Sequence, residues 1–125
     1  MWGKKHFYFG DRISVGVRNL DHAVSWYQEK LGLRLTPLKS EDFDAFLAFA
    51  NDDETGLALV VIPPGETKAN VEGHPILFTE KIEAAHSDFS SRGISVGPIQ
   101  SDSGRNRFFC FRDLEDNEIE VGIEP

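Results

Sequence analysis

The sequence predicts an α+β domain made of two tandem βαβββ modules. Two segments have the helical period, each follows a short apolar strand and precedes three more, and the second half repeats the first at a shift of 62 residues. The domain is expected at residues 11–125 after an N-terminal arm at 1–10, with module one at 11–63, a linker at 63–70 and module two at 71–125.

In the first strand Ile13, Val15 and Val17 alternate with Arg12, Ser14 and Gly16, the period of two that puts one face on a core. A helix follows, with Leu20, Ala23, Val24, Tyr27 and Leu31 on one face. Asn19 is placed to cap it, Asp21 sits in its first turn, and Gly32 stops it. A short strand from Leu33 to Thr36 leads through a loop to the pair Ala45 to Ala50 and Leu57 to Ile62, joined by a polar turn from Asn51 to Gly56. The segment from Pro63 to Asn70 contains Pro and Gly that break both helix and strand, and reads as the linker.

The second half follows the same order. Leu77 has the opposite parity to His74, Ile76 and Phe78, a helix runs from Ile82 to about Arg92 with Ile82, Ala85 and Phe89 inward, and Gly93 ends it. A short strand from Ile94 to Val96 comes next. Arg107 to Arg112 and Glu118 to Ile123 then pair around the turn from Asp113 to Asn117. Under the shift, Leu20 falls on Ile82, Tyr27 on Phe89, Phe46 on Phe108 and Leu57 on Ile119, without a gap, although the helix-ending glycines differ by one position. Order, register and a shared closing proline together indicate duplication.

Composition narrows the function. With 125 residues the chain fits one domain, which buries roughly two thirds of its unfolded surface. No stretch reaches the ~20 apolar residues of a membrane span, and Phe7-Tyr8-Phe9 is too short for a signal-peptide core, so no membrane partner is expected and the cytoplasm is the default location. The net charge is −8 and the basic residues form no stripe, which argues against nucleic acid. Cys110 is the only cysteine and, flanked by phenylalanines, reads as a buried core thiol.

The order of elements, the segment Ile13-Ser14-Val15-Gly16-Val17-Arg18-Asn19-Leu20 and the later Trp26-Tyr27-Gln28-Glu29-Lys30-Leu31-Gly32-Leu33 resemble the vicinal oxygen chelate superfamily, the group of glyoxalases, extradiol dioxygenases and bleomycin resistance proteins. Phe111-Arg112-Asp113-Leu114-Glu115-Asp116-Asn117 and the strand after it look like its closing motif, with Leu114, Glu115 and Asp116 where Pro, Asp and Gly are usual. The resemblance covers roughly residues 11 to 125, and it implies a curled mixed β-sheet cup with helices on the outside. It also implies a dimer, commonly formed by such sheets. Fold alone does not select a chemistry.

In metal-dependent members, ligands project into the cup from the first and last strand of each module. Those positions here are Arg12, Ala58, His74 and Glu120, and the 62-residue shift maps Arg12 onto His74 and Ala58 onto Glu120. Parity agrees, since Ile119, Val121 and Ile123 form one apolar face and Glu118, Glu120 and Gly122 the other. Leu57, Leu59 and Val61 likewise oppose Ala58, Val60 and Ile62.

Only two of the four positions are metal donors. A guanidinium stays protonated and has no lone pair to offer, and it would set a positive charge beside the cation. No cofactor is therefore expected, the alternative being a divalent metal ion held by His74 and Glu120. His22 and His86 lie on the helices, at their surface and away from the cup, while His6 reads as an exposed residue of the arm.

Two readings of the polar residues stand side by side. Arg12, Ala58, His74 and Glu120 form the ligand-binding end of an apolar cup for a small organic molecule, with His74 and Glu120 the candidate catalytic pair, or Arg12 and Glu120 form an internal ion pair that His74 joins. Phe43, Phe46, Phe78 and Phe108 line an aromatic pocket or belong to the core. The leading expectation is ligand binding or sequestration by a homodimer, as in the bleomycin-resistance branch that the acidic charge and missing ligands resemble. The alternatives are a metal-dependent lyase, isomerase, dioxygenase or thiol transferase, and a degenerate scaffold that acts as an interaction module.

Overall fold

A computed structural model describes residues 13–49, 52–67, 76–102 and 106–123. The first half contains β1 (Ile13–Val17), α1 (Leu20–Leu31), β2 (Arg34–Leu35), β3 (Ala45–Phe49) and β4 (Asp52–Val61). The second contains β5 (Ile76–Phe78), α2 (Ile82–Ser91), β6 (Ser95–Val96), β7 (Gln100–Ser101), β8 (Arg107–Arg112) and β9 (Glu118–Gly122). Each half makes its own mixed sheet, in the order β1-β4-β3-β2 and β5-β9-β8-β6, with β7 added beside β8. The first strand of each half runs parallel to the last, so a helical crossover joins the two edges of each half-sheet.

The helices form where the sequence places them. Asn19 Oδ1 accepts the His22 backbone N–H at 3.1 Å, and Gly32 ends α1 in the left-handed region at φ 67°. Lys81, at the same place before α2, makes no side-chain cap. Ala23, Tyr27 and Leu31 of α1, and Ile82, Ala85 and Phe89 of α2, face one continuous core with Val15, Val17, Leu57, Leu59, Phe109, Phe111, Ile119 and Val121. Both halves thus share a single apolar interior. A smaller cluster of Phe43, Phe46, Ala48 and Ala58, with Val60 against it, covers the opposite face of the first sheet.

Three expectations need correction. The polar turn from Asn51 to Gly56 is mostly strand, because β4 already starts at Asp52 and pairs with Phe49 across a bulge at Ala48/Phe49. Hydrogen bonding across the hairpin outweighs the low strand propensity of this acidic run. The second half has an additional strand, since Gln100 and Ser101 fold back on Phe108 and Arg107. The ungapped shift also fails at two strand pairs, of which β2 and β6 correspond at 61. Phe46 lies opposite Ala58, but Cys110, not Phe108, lies opposite Glu120, so β3 and β8 correspond at a shift of 64 while β1 and β5 keep 62. The additional hairpin ahead of β8 and a shorter turn after it account for the slip, and its even length preserves which side chains face which side.

Side chains bolt the halves together. The Glu115 carboxylate accepts the backbone N–H of Arg18 at 2.6 Å and of Asn19 at 3.0 Å, and Asn117 Nδ2 donates to Gly16 O at 2.9 Å. At the other helix ends Lys30 Nζ donates to Arg92 O at 2.9 Å and Arg92 donates to Lys30 O at 3.0 Å. These two residues are equivalent under the 62-residue shift, so each helix C-terminus is capped by the cation of the other.

Candidate functional site

The sheet faces away from the shared core differ between the halves. In the first, Ala58 lies between Ser14 and Phe46 and is fully buried. The Phe43 and Phe46 rings, 5.7 Å apart, lie in the same cluster as Ala58 and are themselves buried, so these two phenylalanines are core. In the second, the half-buried Glu120 lies between Ile76 and Cys110, and Gly122 between Phe78 and Phe108. Phe78, Phe108, Glu120 and Gly122 line a cleft of about 260 Å³. Asp102 and Asn106 form its rim and are tied together by Asn106 N to Asp102 Oδ1 at 3.0 Å and Asn106 Nδ2 to Asp102 Oδ2 at 3.2 Å.

Of the four expected site residues, Ala58 and Glu120 occupy equivalent places on the last strand of each sheet, and both have the expected parity. Arg12 and His74 lie outside the described residues, as does His6. Among the described residues no three His, Cys, Asp or Glu side chains come together as metal ligands. Ala58 has no lone pair to offer a cation.

Cys110 departs from expectation. It is half-buried on the cleft side of β8, not in the shared core, and its thiol pKa is raised above the ordinary 9.0 by burial first and then by the negative charges of Glu118 and Glu120. An aromatic neighbourhood in sequence says nothing about which face a strand residue takes. His86 is more engaged than expected, with Nε2 donating to Gly97 O at 2.8 Å and the ring edge-on to Phe109. His22 is exposed, as expected.

The closing turn carries a polar cluster that residue patterns did not indicate. Asp113 is 6% exposed; its Oδ1 accepts the N–H groups of Glu115 and Asn117, each at 2.9 Å, and its Oδ2 accepts the Tyr27 hydroxyl at 2.7 Å. Asp116 takes φ 63°, where glycine is more usual. Tyr27 is 1% exposed and its pKa is raised well above 10.0, by burial first and then by the Asp113 charge and hydrogen bond. The family-like turn therefore works as a clasp between the halves. A second cleft, about 310 Å³, lies between α1 and the β2–β3 connection, carries the exposed Leu35 and Leu38, and holds none of the expected site residues.

Two separate mixed sheets, each with a parallel outer pair and one packed helix, define a paired-module α+β protein. The chain belongs to the Glyoxalase/Bleomycin resistance protein/Dioxygenase superfamily, whose family model matches residues 11–121. No curated protein sequence matches it. Among solved structures it is similar to an integron cassette protein, HFX_CASS4, from the mobile metagenome of Halifax Harbour sewage outfall, at 21% identity and TM-score 0.69, over 93% of this chain and all of that one. TnmS3, an antibiotic binding protein from Streptomyces sp. CB03234, is similar at 22% identity and TM-score 0.67, over 94% of this chain and 98% of the other. A lactoylglutathione lyase from Agrobacterium tumefaciens has 16% identity and TM-score 0.63, over 92% and 94% of the two chains.

Proposed function

We propose that the protein binds and sequesters a small organic molecule, without a resident metal, at the sheet face that carries Glu120. The observation behind this is the contrast between the faces: the first sheet is closed by its own Phe43, Phe46 and Ala58, whereas the second leaves a concave surface with two aromatic rings, a carboxylate and a bare glycine. Apolar walls with a few placed polar groups are what small-molecule sites are made of. The likeness to TnmS3 supports the same reading. In this proposal Arg12, His74 and Glu120 form the polar end of the site and Ala58 part of its apolar wall, and the protein works in the cytoplasm as a homodimer.

The competing reading is a metal-dependent enzyme, favoured by Glu120 at the family's ligand position. Titration with nickel, zinc, manganese and iron separates the two. The proposal predicts no stoichiometric binding; a one-to-one site lost in both His74→Ala and Glu120→Ala would overturn it. A thermal-shift screen with aromatic cations and small carboxylates is expected to yield stabilising ligands, and light scattering on a sizing column is expected to give the mass of two chains.

A further inference from the structure

The space between helix and edge strand is filled in one half and open in the other. In the second half His86 of α2 closes it: Nε2 donates to Gly97 O at 2.8 Å, and the ring lies edge-on to Phe109 with centroids 4.9 Å apart. Val96 and Ile99, on either side of that carbonyl, pack against the shared core. The first half has the same backbone. Thr36 N–H donates to Phe46 O as Gly97 N–H donates to Cys110 O, so Thr36 is the counterpart of Gly97, at the shift of 61 that relates β2 to β6. Leu35 and Leu38 are then the counterparts of Val96 and Ile99, yet they are 46% and 53% exposed.

Two side chains make the difference. At the helix shift of 62, Val24 stands where His86 does, and at the β3–β8 shift of 64, Ala45 stands where Phe109 does. Both line the cleft of about 310 Å³, together with Leu35, Thr36 and Leu38. That volume is at the lower end of small-molecule sites, which run from roughly 300 Å³ upward. Valine has no proton to donate to the Thr36 carbonyl, and among the described residues no hydrogen bond ends on that oxygen. Asp21, Asp44 and Lys39 stand at the rim, and Asp44 Oδ2 already accepts the Val61 N–H at 2.8 Å. Acid and base are both present there, so shape and the open carbonyl select the ligand more than the sign of its charge.

We infer that this cleft is a second ligand site, for a neutral flat heterocycle of the indole class that takes the place His86 and Phe109 fill in the other half. Its ring N–H donates to Thr36 O and its apolar body lies against Val24, Ala45, Leu35 and Leu38. The site is on the helix side of the first sheet, apart from the face that carries Glu120, and it stands or falls independently of the function proposed above.

Indole and benzofuran, the same two rings with an oxygen in place of the N–H, are titrated into the full chain and followed by backbone amide NMR shifts. Indole is expected to saturate, with shifts centred on Val24, Thr36, Leu38 and Ala45 and not on Phe108, Glu120 and Gly122, and benzofuran to bind about tenfold more weakly. Val24→His supplies the second half's own filler, and is expected to weaken indole by more than about tenfold while the chain remains folded. Leu38→Ser, at an exposed position where folding is not at stake, weakens it by about threefold or more. The site is refuted if indole fails to bind, if its shifts centre on the Glu120 face, if benzofuran binds as tightly, or if Val24→His folds and keeps the wild-type affinity. Should Val24→His unfold, Leu38→Ser decides: an unchanged affinity refutes the site, and the expected loss upholds it.

Discussion

Tyr27 and Asp113 show how one hydrogen bond ties a helix of the first half to a turn of the second. The Tyr27 hydroxyl donates at 2.7 Å into a carboxylate that also receives two backbone N–H groups and the Asn117 side-chain amide, so it is one of four donors on a buried charge. Tyr27→Phe is expected to cost about 1–3 kcal/mol, measured by urea unfolding at neutral pH. The same residue sets an alkaline limit. The unfolded chain releases the tyrosine proton near pH 10.0 and the folded chain only well above it, so above pH 10.0 the folded state holds more protons and stability falls as pH rises. Below pH 10.0 this contribution is fully present, and in Tyr27→Phe the alkaline slope is reduced. Cys110 yields a second prediction. Its raised pKa keeps it a thiol, so iodoacetamide alkylation of the native protein reaches half its maximal rate above pH 9.0, and Glu118→Gln moves that midpoint down. A native midpoint below 9.0 would contradict the assigned environment.

At the level of elements, caps and glycines hold the design. Asn19→Ala removes the 3.1 Å cap of α1 and is expected to cost about 1 kcal/mol, read as a shift of the thermal midpoint. Gly32→Ala forces a side chain into φ 67°, with a similar cost of about 1–2 kcal/mol. Gly56→Ala is more severe, about 3 kcal/mol, because its methyl group would strike the β3 backbone and the hairpin must open to admit it. Helix boundaries and caps were legible in the sequence because they depend on residues within a turn of each other. The β3–β4 connection was not, since its pairing is set by a partner strand, and neither was the 64-residue correspondence of β3 and β8. Slipping a strand by two residues leaves hydrophobic parity intact, so the pattern that located the strand could not report the slip.

For the whole molecule, the shared interior predicts one cooperative transition. Val15, Leu59 and Tyr27 from the first half pack in the same cluster as Phe89, Phe109 and Val121 from the second, so the tyrosine and tryptophan signals and the helical signal should be lost together on heating. Two separated transitions would mean that the halves fold independently. The sequence by itself determined the shared βαβββ order, the faces of β1, β4 and β9, and the family, because each is written in local periodicity and in a repeat near one spacing. It also determined that Ala58 and Glu120 are chemically unlike positions at equivalent places. Only the tertiary structure decided that Asp113, Glu115 and Asn117 clasp β1 and α1, and that Lys30 and Arg92 cap each other's helices. It alone set Gly122 between Phe78 and Phe108. These pairings join residues distant in the chain, and their energies depend on distance and burial that no local pattern encodes.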